Sequence, residues 1–506
     1  MTCLPTPPTD TERDSYFTRH VGLLVTWGLV GMTGIILATI RLSISHPSLH
    51  FYVFVALMAA MFFSISFTVN IFTHDANLLE HRTRVERWRT EPRLPLSVDV
   101  WLPVAGEDLE ILENSWRYVR QLEWDGPLRI FVGDDSDSQE VREAAERFGF
   151  DYTVREDRPW MKKAGNMRNL YLHSYNEFVL ILDADFAPRK DFLFELMPYF
   201  ENEKAGIVQS PQHFRVLAEQ NWLERGAGAV QELFYRAIQT SREQHGGAVC
   251  VGTNAIYRRA ALDDNGGTTL YEHSEDIRTG FDVRLHGWSL QYVPANLATG
   301  LCPDQLHSFM RQQYRWCLGS VTLLCSAKFW GTKMRIKTRA CYLAGFGYYI
   351  STALNVLLFP LLPVILLAAY PDMIHLHNYV ILAPALFYSY VGFPLWHRCK
   401  WGMEAWSVQM LYSWSHCFAL FDMIRRRPMG WTPTGAAEHI DLRGLMFRGA
   451  LLLWSGGMAL TWVSLALYRW TEDRHSAAFV PLIFIGLFYL LVVTQTFVPI
   501  ERKVVA

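Results

Sequence analysis

Residues 178–188 read FVLILDADFAP, an apolar run that closes on Asp183 and Asp185 with one alanine between them. Val179 to Leu182 has the length and composition of a strand covered on both faces. Side chains two apart on a strand point the same way, so extended backbone brings these carboxylates together where the strand leaves its sheet. Carboxylates that close repel unless one holds a proton or a cation lies between them. A hard divalent ion such as Mg²⁺ or Mn²⁺ takes oxygen ligands and bridges to phosphate oxygens. In open α/β sheets, ligands sit beyond the carboxyl ends of strands. The pair therefore reads as a metal–diphosphate site. Asp is also common in an ordinary strand-to-loop turn, and this stretch alone does not separate the two readings.

The flanking sequence favours the first. SVDVWLPV (97–104) reads as a strand, followed by a polar turn and a helical run. LRIFVGDDSD (128–137) reads as a second strand, again ending in acids, Asp134 and Asp135, and DYTVRE (151–156) as a third. Strands alternating with helices imply a mostly parallel sheet wound by helices. Both acidic pairs then fall on one edge of that sheet.

The rest of the chain is membrane-like. It has 506 residues, half of them apolar, with 18 Trp, 31 Phe and 22 Tyr. Val21 to Ile40 and Phe51 to Phe72 are long enough to span a bilayer, as are about 343–370, 379–396, 449–467 and 478–498. The first run follows a polar, Pro-rich head without the basic start or cleavage site of a signal peptide, so it is read as retained. The formal charge of −2 points to no nucleic-acid partner. The eight cysteines form no Cys-x-x-Cys and indicate neither a disulfide frame nor a zinc site. The turn PDMIHLHN (371–378) has no Lys or Arg, whereas 398–448 carries many, including Arg425, Arg426 and Arg427. The positive-inside rule then places the hydrophilic domain, the 398–448 segment and both termini in the cytosol of an integral plasma-membrane protein. Residues 404–427 mix aromatic and polar side chains before a basic end and read as a helix lying in the cytosolic interface, and 306–330 can do the same. The expected organisation is 1–73 for the N-terminus and first two membrane helices, and 74–338 for the cytosolic catalytic domain. Then come 339–397 for helices three and four, 398–447 for the interface helix and a loop, and 448–506 for helices five and six with a tail.

An ordered set of short motifs carries a family resemblance. VDVWLPVAGE, VGDDSD, KKAGNMRN, LDADFAP, VQSPQHF, VGTNAIYRR, HSEDIRTG, QQYRW and GWTPTG occur in that order between residues 98 and 435. The chain resembles the processive family 2 glycosyltransferases of the cellulose synthase type. That resemblance implies a GT-A-type α/β domain inserted in an α-helical bundle of about six spans plus interface helices. It implies a UDP-sugar donor, UDP-glucose first, a growing β-glucan such as cellulose, a divalent cation at Asp183 and Asp185, and export through the bundle.

Site roles follow residue by residue from the same resemblance. Asp276 of the Ser-Glu-Asp run takes the place of the general base, with Glu275 beside it; read from the residues alone, the same run caps the helix that follows, with Ser274 as the cap. Asp134 and Asp135 are assigned to the base and ribose, Glu107 and Lys163 to the nucleotide-sugar, and Val251, Gly252 and Thr253 to the acceptor edge. Gln312, Arg315 and Trp316 share a helix face, where Arg offers a fork to diphosphate oxygens and Trp a flat apolar face to a pyranose ring. Trp431 and Thr432 belong to a gating loop over the phosphates. In many relatives the first-strand motif continues with Tyr-Asn-Glu, whereas here it reads VAGE and only Glu107 of that trio is kept. The chain ends soon after its sixth apolar run, so a cyclic-di-GMP-binding PilZ domain is not expected. Chitin or hyaluronan-type synthesis from UDP-GlcNAc, and non-processive transfer to a membrane lipid, stay open as alternatives. Accessory subunits and a homo-oligomer stay open as partners.

Overall fold

The structure is a computed structural model and describes residues 4–68, 73–429, 442–473 and 476–500. Seven strands form the main sheet: β1 Val98–Val104, β2 Leu128–Asp134, β3 Asp151–Thr153, β4 Phe178–Ile181, β6 Ala205–Gln209, β7 Ala255–Arg258 and β8 Ser289–Tyr292. Their spatial order is β3-β2-β1-β4-β7-β6-β8, and β5 Ala187–Pro188 pairs with β9 Ala298–Thr299 in a separate ribbon.

β1 is buried along its whole length. Its alternation sorts two cores: Val98, Val100, Leu102 and Val104 enter one cluster with Leu180 and Val132, whereas Trp101 enters another with Phe131 and Ile181. Pro103 is tolerated in this central strand because it falls past the last β1–β4 pair, Trp101 with Ile181, so its missing N–H interrupts no pairing in that ladder.

The expected parallel arrangement holds for β1 to β4. β7 departs from it, running antiparallel to both β4 and β6. The reversal has a consequence for the site. The amino end of an antiparallel strand lies at the carboxyl edge of its parallel neighbours, so the turn 251–254 leading into β7 arrives beside the acids that follow β4.

β4 itself ends at Ile181, so Asp183 and Asp185 sit in the turn after the strand rather than on it. Turn and ligand readings of LDAD thus describe the same backbone.

Among the described residues, four helices are long and apolar enough to cross a membrane: Gly22–Ser45, Ile336–Ala369, Asn378–Trp396 and Gly444–Glu472. Two shorter apolar helices, Pro47–Met61 and Val480–Gln495, occupy the other expected positions. The helix Met403–Ile424 packs on Trp222–Glu232, Leu306–Leu324, Ile336–Leu358 and Val480–Gln495. Its mixed aromatic and polar surface meets all four of these helices.

The N-terminal segment is docked on the sheet-bearing domain. Asn114 Nδ2 donates to Pro5 O at 2.8 Å, and Arg189 Nη1 to Pro8 O at 2.6 Å. Arg215 forks onto Glu12 at 2.7 and 2.8 Å, and Phe17 is buried in the core beneath. Residues before the first apolar helix therefore lie on the same side of the bundle as the sheet.

Candidate active site

A cavity of about 310 Å³ opens at the carboxyl edge of β1 and β4, walled by the turns after those strands and by the helix Leu306–Leu324. Gln305 and Trp316 both line it, so it follows that helix for about 16 Å at 1.5 Å per residue.

The acids of LDAD form one wall. Asp183 accepts from Lys163 Nζ at 2.5 Å, and its backbone N–H donates to Thr253 Oγ1 at 2.9 Å. Asp185 accepts from the Leu301 N–H at 3.1 Å. Burial, and then the charge of Asp183, lift the Asp185 carboxyl to about 7. Among the described residues no cluster of three or more His, Cys, Asp or Glu side chains is placed to hold an ion. Two carboxylates without a third protein ligand fit a hard cation whose remaining positions are filled by phosphate oxygens and water, and do not fit a resident structural ion.

Lys163 links this wall to the next. Its Nζ also donates to Gly252 O at 3.3 Å and stands 3.8 Å from Glu275 Oε1. Burial works against the ammonium, but Asp183 and then Glu275 outweigh it and hold its pKa above the ordinary lysine range.

Glu275 and Asp276 open the helix Glu275–Leu285 and line the cavity. Asp276 Oδ1 accepts from the Ile277 N–H at 2.8 Å. Burial, and then neighbouring Glu275, raise the Asp276 carboxyl to about 7. Close approach explains Gly252: it has φ +78°, and a Cβ there would lie 2.8 Å from the Cβ of Asp276.

Ser274 departs from its expected role. It holds the N-cap position without a side-chain capping bond, because its Oγ turns to donate to His273 O at 2.5 Å and Arg315 O at 3.3 Å. It fastens the Ser-Glu-Asp loop to the Leu306–Leu324 helix instead. Gly319 permits this contact, since a Cβ there would fall 2.2 Å from the serine Oγ. Gln312, Arg315 and Trp316 complete the far wall. Burial lowers the Arg315 pKa, opposed by Glu275, Asp276 and Asp183, which face it.

Glu107 and Asp135 also reach the cavity. The Glu107 carboxylate closes its own turn by accepting from the Ala105 N–H at 2.7 Å, and burial raises its pKa. Asp135 is held by Arg155, whose Nε and Nη2 each donate at 2.7 Å.

Other expected site residues are placed elsewhere. Asp134 is buried outside the lining, accepting from Ser136 N and Oγ, Ser138 N and Tyr152 Oη. Its oxygens are taken by the protein, because the serines after the strand fold back onto it as an Asx-type turn. Val251 lines the cavity, whereas Gly252 and Thr253 support it from behind. Trp431 and Thr432 lie outside the described residues.

The cavity also recruits side chains that motif reading passed over. Gln212, in the SPQHF run, donates through Nε2 to Val251 O at 3.2 Å and so positions the turn leading into β7. His273 and Gln305 line the cavity, each with a buried polar atom lacking a hydrogen-bond partner among the described residues. His273 stands directly before Ser-Glu-Asp, and its position within that motif is the only sequence signal that marks it.

Comparison with known proteins agrees with this layout. Residues 178–494 match the family described as Glycosyl transferase family group 2. The Komagataeibacter xylinus cellulose synthase 1 catalytic subunit (UDP-forming) is 28% identical over 254 residues, covering 49% of this chain and 34% of that one. The corresponding cellulose synthase subunit of Xanthomonas axonopodis pv. citri is 27% identical over 259 residues, covering 50% and 35%. The chain thus spans about a third of the length of these curated relatives. Among solved structures, the mannosyltransferase PcManGT of Pyrobaculum calidifontis, in complex with GDP-Man and Mn²⁺, superposes with a TM-score of 0.50 at 17% identity, covering 73% of this chain and 99% of that one. That likeness concerns the fold, a GT-A-like mixed sheet, here joined to a helical membrane region.

Proposed function

Because the chain belongs to glycosyl transferase family group 2, we propose that it is a processive, inverting hexosyltransferase. It transfers sugar from a UDP-sugar, UDP-glucose first, to the non-reducing end of a growing β-glucan. The observation that carries this reading is the meeting in one cavity of the Asp183/Asp185 pair, the Glu275/Asp276 pair and the Gln312, Arg315, Trp316 face.

Each wall has a task. Asp276 accepts the proton of the acceptor hydroxyl as that oxygen bonds to the donor's anomeric carbon and the bond from that carbon to the diphosphate breaks. A carboxyl raised to about 7 is matched to such a transfer near neutral pH. Glu275 raises the Asp276 pKa and, with Asp183, keeps Lys163 charged. Lys163 and Arg315 face the departing diphosphate from opposite walls. Asp183 and Asp185 would hold Mg²⁺ or Mn²⁺, which when bound supplies charge neutralisation for the diphosphate. Trp316 provides the apolar floor for the acceptor ring.

The placement of residues 4–17 on the sheet supports a topology with the N-terminus and catalytic domain together on the basic, cytosolic side of the bilayer. The apolar helices would then conduct the polymer outward, making synthesis and export one process. The domain limits 1–73, 74–338, 339–397, 398–447 and 448–506 are proposed on the same grounds.

The test is the full chain in lipid vesicles, given radiolabelled UDP-glucose with Mn²⁺ or Mg²⁺. High-polymer product cut by a β-glucanase is expected. Label that partitions with lipid would replace the reading by a lipid glycosyltransferase. Polymer formed only from UDP-GlcNAc would replace the donor, and no sugar transfer from any UDP-sugar would overturn the reading.

A further inference from the structure

We propose that His273 is a substrate-contacting, specificity-determining residue that hydrogen-bonds a neutral hydroxyl of the acceptor sugar; this rests on the sugar-transfer reading above. His273 lines the cavity, and its Nδ1 is buried without a hydrogen-bond partner among the described residues. Leaving a buried polar atom unpaired is costly, and buried polar atoms in proteins are almost always bonded. In a cavity wall, the partner that removes this cost is a ligand group.

The surroundings fix where that group lies. On its own chain, His273 is three residues from Asp276, the group assigned to receive the acceptor proton. Its carbonyl accepts from Ser274 Oγ at 2.5 Å, and the same hydroxyl reaches Arg315 O at 3.3 Å. The His273 backbone is thereby tied to the helix turn that carries Trp316. The ring packs edge-on against Tyr271 at 6.2 Å between centroids, and Tyr271 Oη shares a hydrogen bond with Thr322 Oγ1 at 3.0 Å. Backbone and ring are both anchored, which holds the imidazole in place at the cavity wall. The diphosphate side, by contrast, is defined by Lys163 and Asp183.

The chemistry of the edge narrows the ligand. Burial lowers the His273 pKa against the opposing charge of Glu272, with Arg315 adding to the lowering. A neutral imidazole offers one donor and one acceptor, which suits a sugar hydroxyl and makes a poor counter-ion for phosphate. A site built to bond a hydroxyl rejects analogues that lack it, because its own polar group is then left unpaired.

The experiment compares wild type, His273→Leu and His273→Gln as full chains in vesicles, with a soluble β-linked glucose oligomer as acceptor and UDP as a binding probe. His273→Leu is expected to raise the acceptor KM by about 5- to 50-fold while UDP affinity does not follow, and His273→Gln to recover most of that loss. An acceptor KM for His273→Leu within twofold of wild type overturns the inference. So does a parallel loss of acceptor KM, UDP affinity and thermal stability that Gln fails to rescue, which marks a structural residue. Wild type that transfers no sugar from any UDP-sugar removes the transferase reading and this inference together. Wild type that transfers sugar while His273→Leu is indistinguishable from it removes the inference alone.

Discussion

Two parallel strands that flank β1 in one sheet run into paired acids, and the pairs meet different fates. After β2, Asp134 accepts four bonds from Ser136, Ser138 and Tyr152, and Asp135 is gripped by the Arg155 fork. After β4, Asp183 has one lysine and Asp185 one backbone amide, and both face the cavity. The difference is the number of protein donors. An acid whose oxygens are filled by its own chain holds a turn, whereas one left under-coordinated at a sheet edge has capacity for a ligand. Asp276 is of the second kind: it draws one backbone bond and otherwise faces the cavity.

The contrast can be broken by substitution. Asp276→Asn should lower polymer synthesis by about 10²–10⁴-fold while UDP affinity and melting temperature hold; near-normal polymer yield would remove Asp276 as the base. Arg155→Met should do the reverse. It strands Asp135, whose side chain is only 10% exposed, and chemical denaturation should register about 3–5 kcal/mol of lost stability. Asp134→Asn puts an amide donor where Ser138 N–H and Tyr152 Oη donate, so a loss of about 1–3 kcal/mol is expected with cation binding intact.

How much of this was readable beforehand depends on whether the partner is local. The β1, β2 and β4 strands were legible because apolar runs ending at turn residues report burial directly. β6 and β7 are short, and nothing in AGIVQ or AIYR states that β7 runs antiparallel, since strand direction is fixed by distant pairing. The serines that saturate Asp134 stand two and four residues away, a signal present in GDDSDS that resemblance to a nucleotide site overrode. Arg155 lies twenty residues from Asp135, and only the fold joins them. Ser274 shows the same limit: its position predicts a cap, but the contact with Gly319 and Arg315 on another helix redirects its hydroxyl. Only its place in HSEDIRTG points to His273, since its unpaired nitrogen is a property of the assembled wall.

Smaller effects sharpen the comparison. Asp276 must be ionised to accept a proton, so kcat should climb about tenfold per pH unit below the raised pKa of about 7 and level off above it. Linkage acts oppositely on stability. The folded carboxyl binds its proton more tightly than the unfolded one, so this group's stabilising contribution is present at acid pH and is lost as pH rises to about 7. A pH–rate profile that is flat from 5 to 8 would contradict the assignment. The least effect belongs to Arg129 and Asp151, an ion pair about half exposed on the same sheet. Removing either should change stability by about 0.2–1 kcal/mol and leave turnover unchanged, since neither touches the cavity.

The most direct measurement is Mn²⁺ binding followed by electron paramagnetic resonance, with and without UDP, in wild type, Asp183→Asn, Asp185→Asn and folded Asp134→Asn protein. The account predicts a UDP-strengthened Mn²⁺ signal that Asp134→Asn preserves and either Asp183→Asn or Asp185→Asn abolishes. Equal Mn²⁺ binding in all four proteins would contradict it.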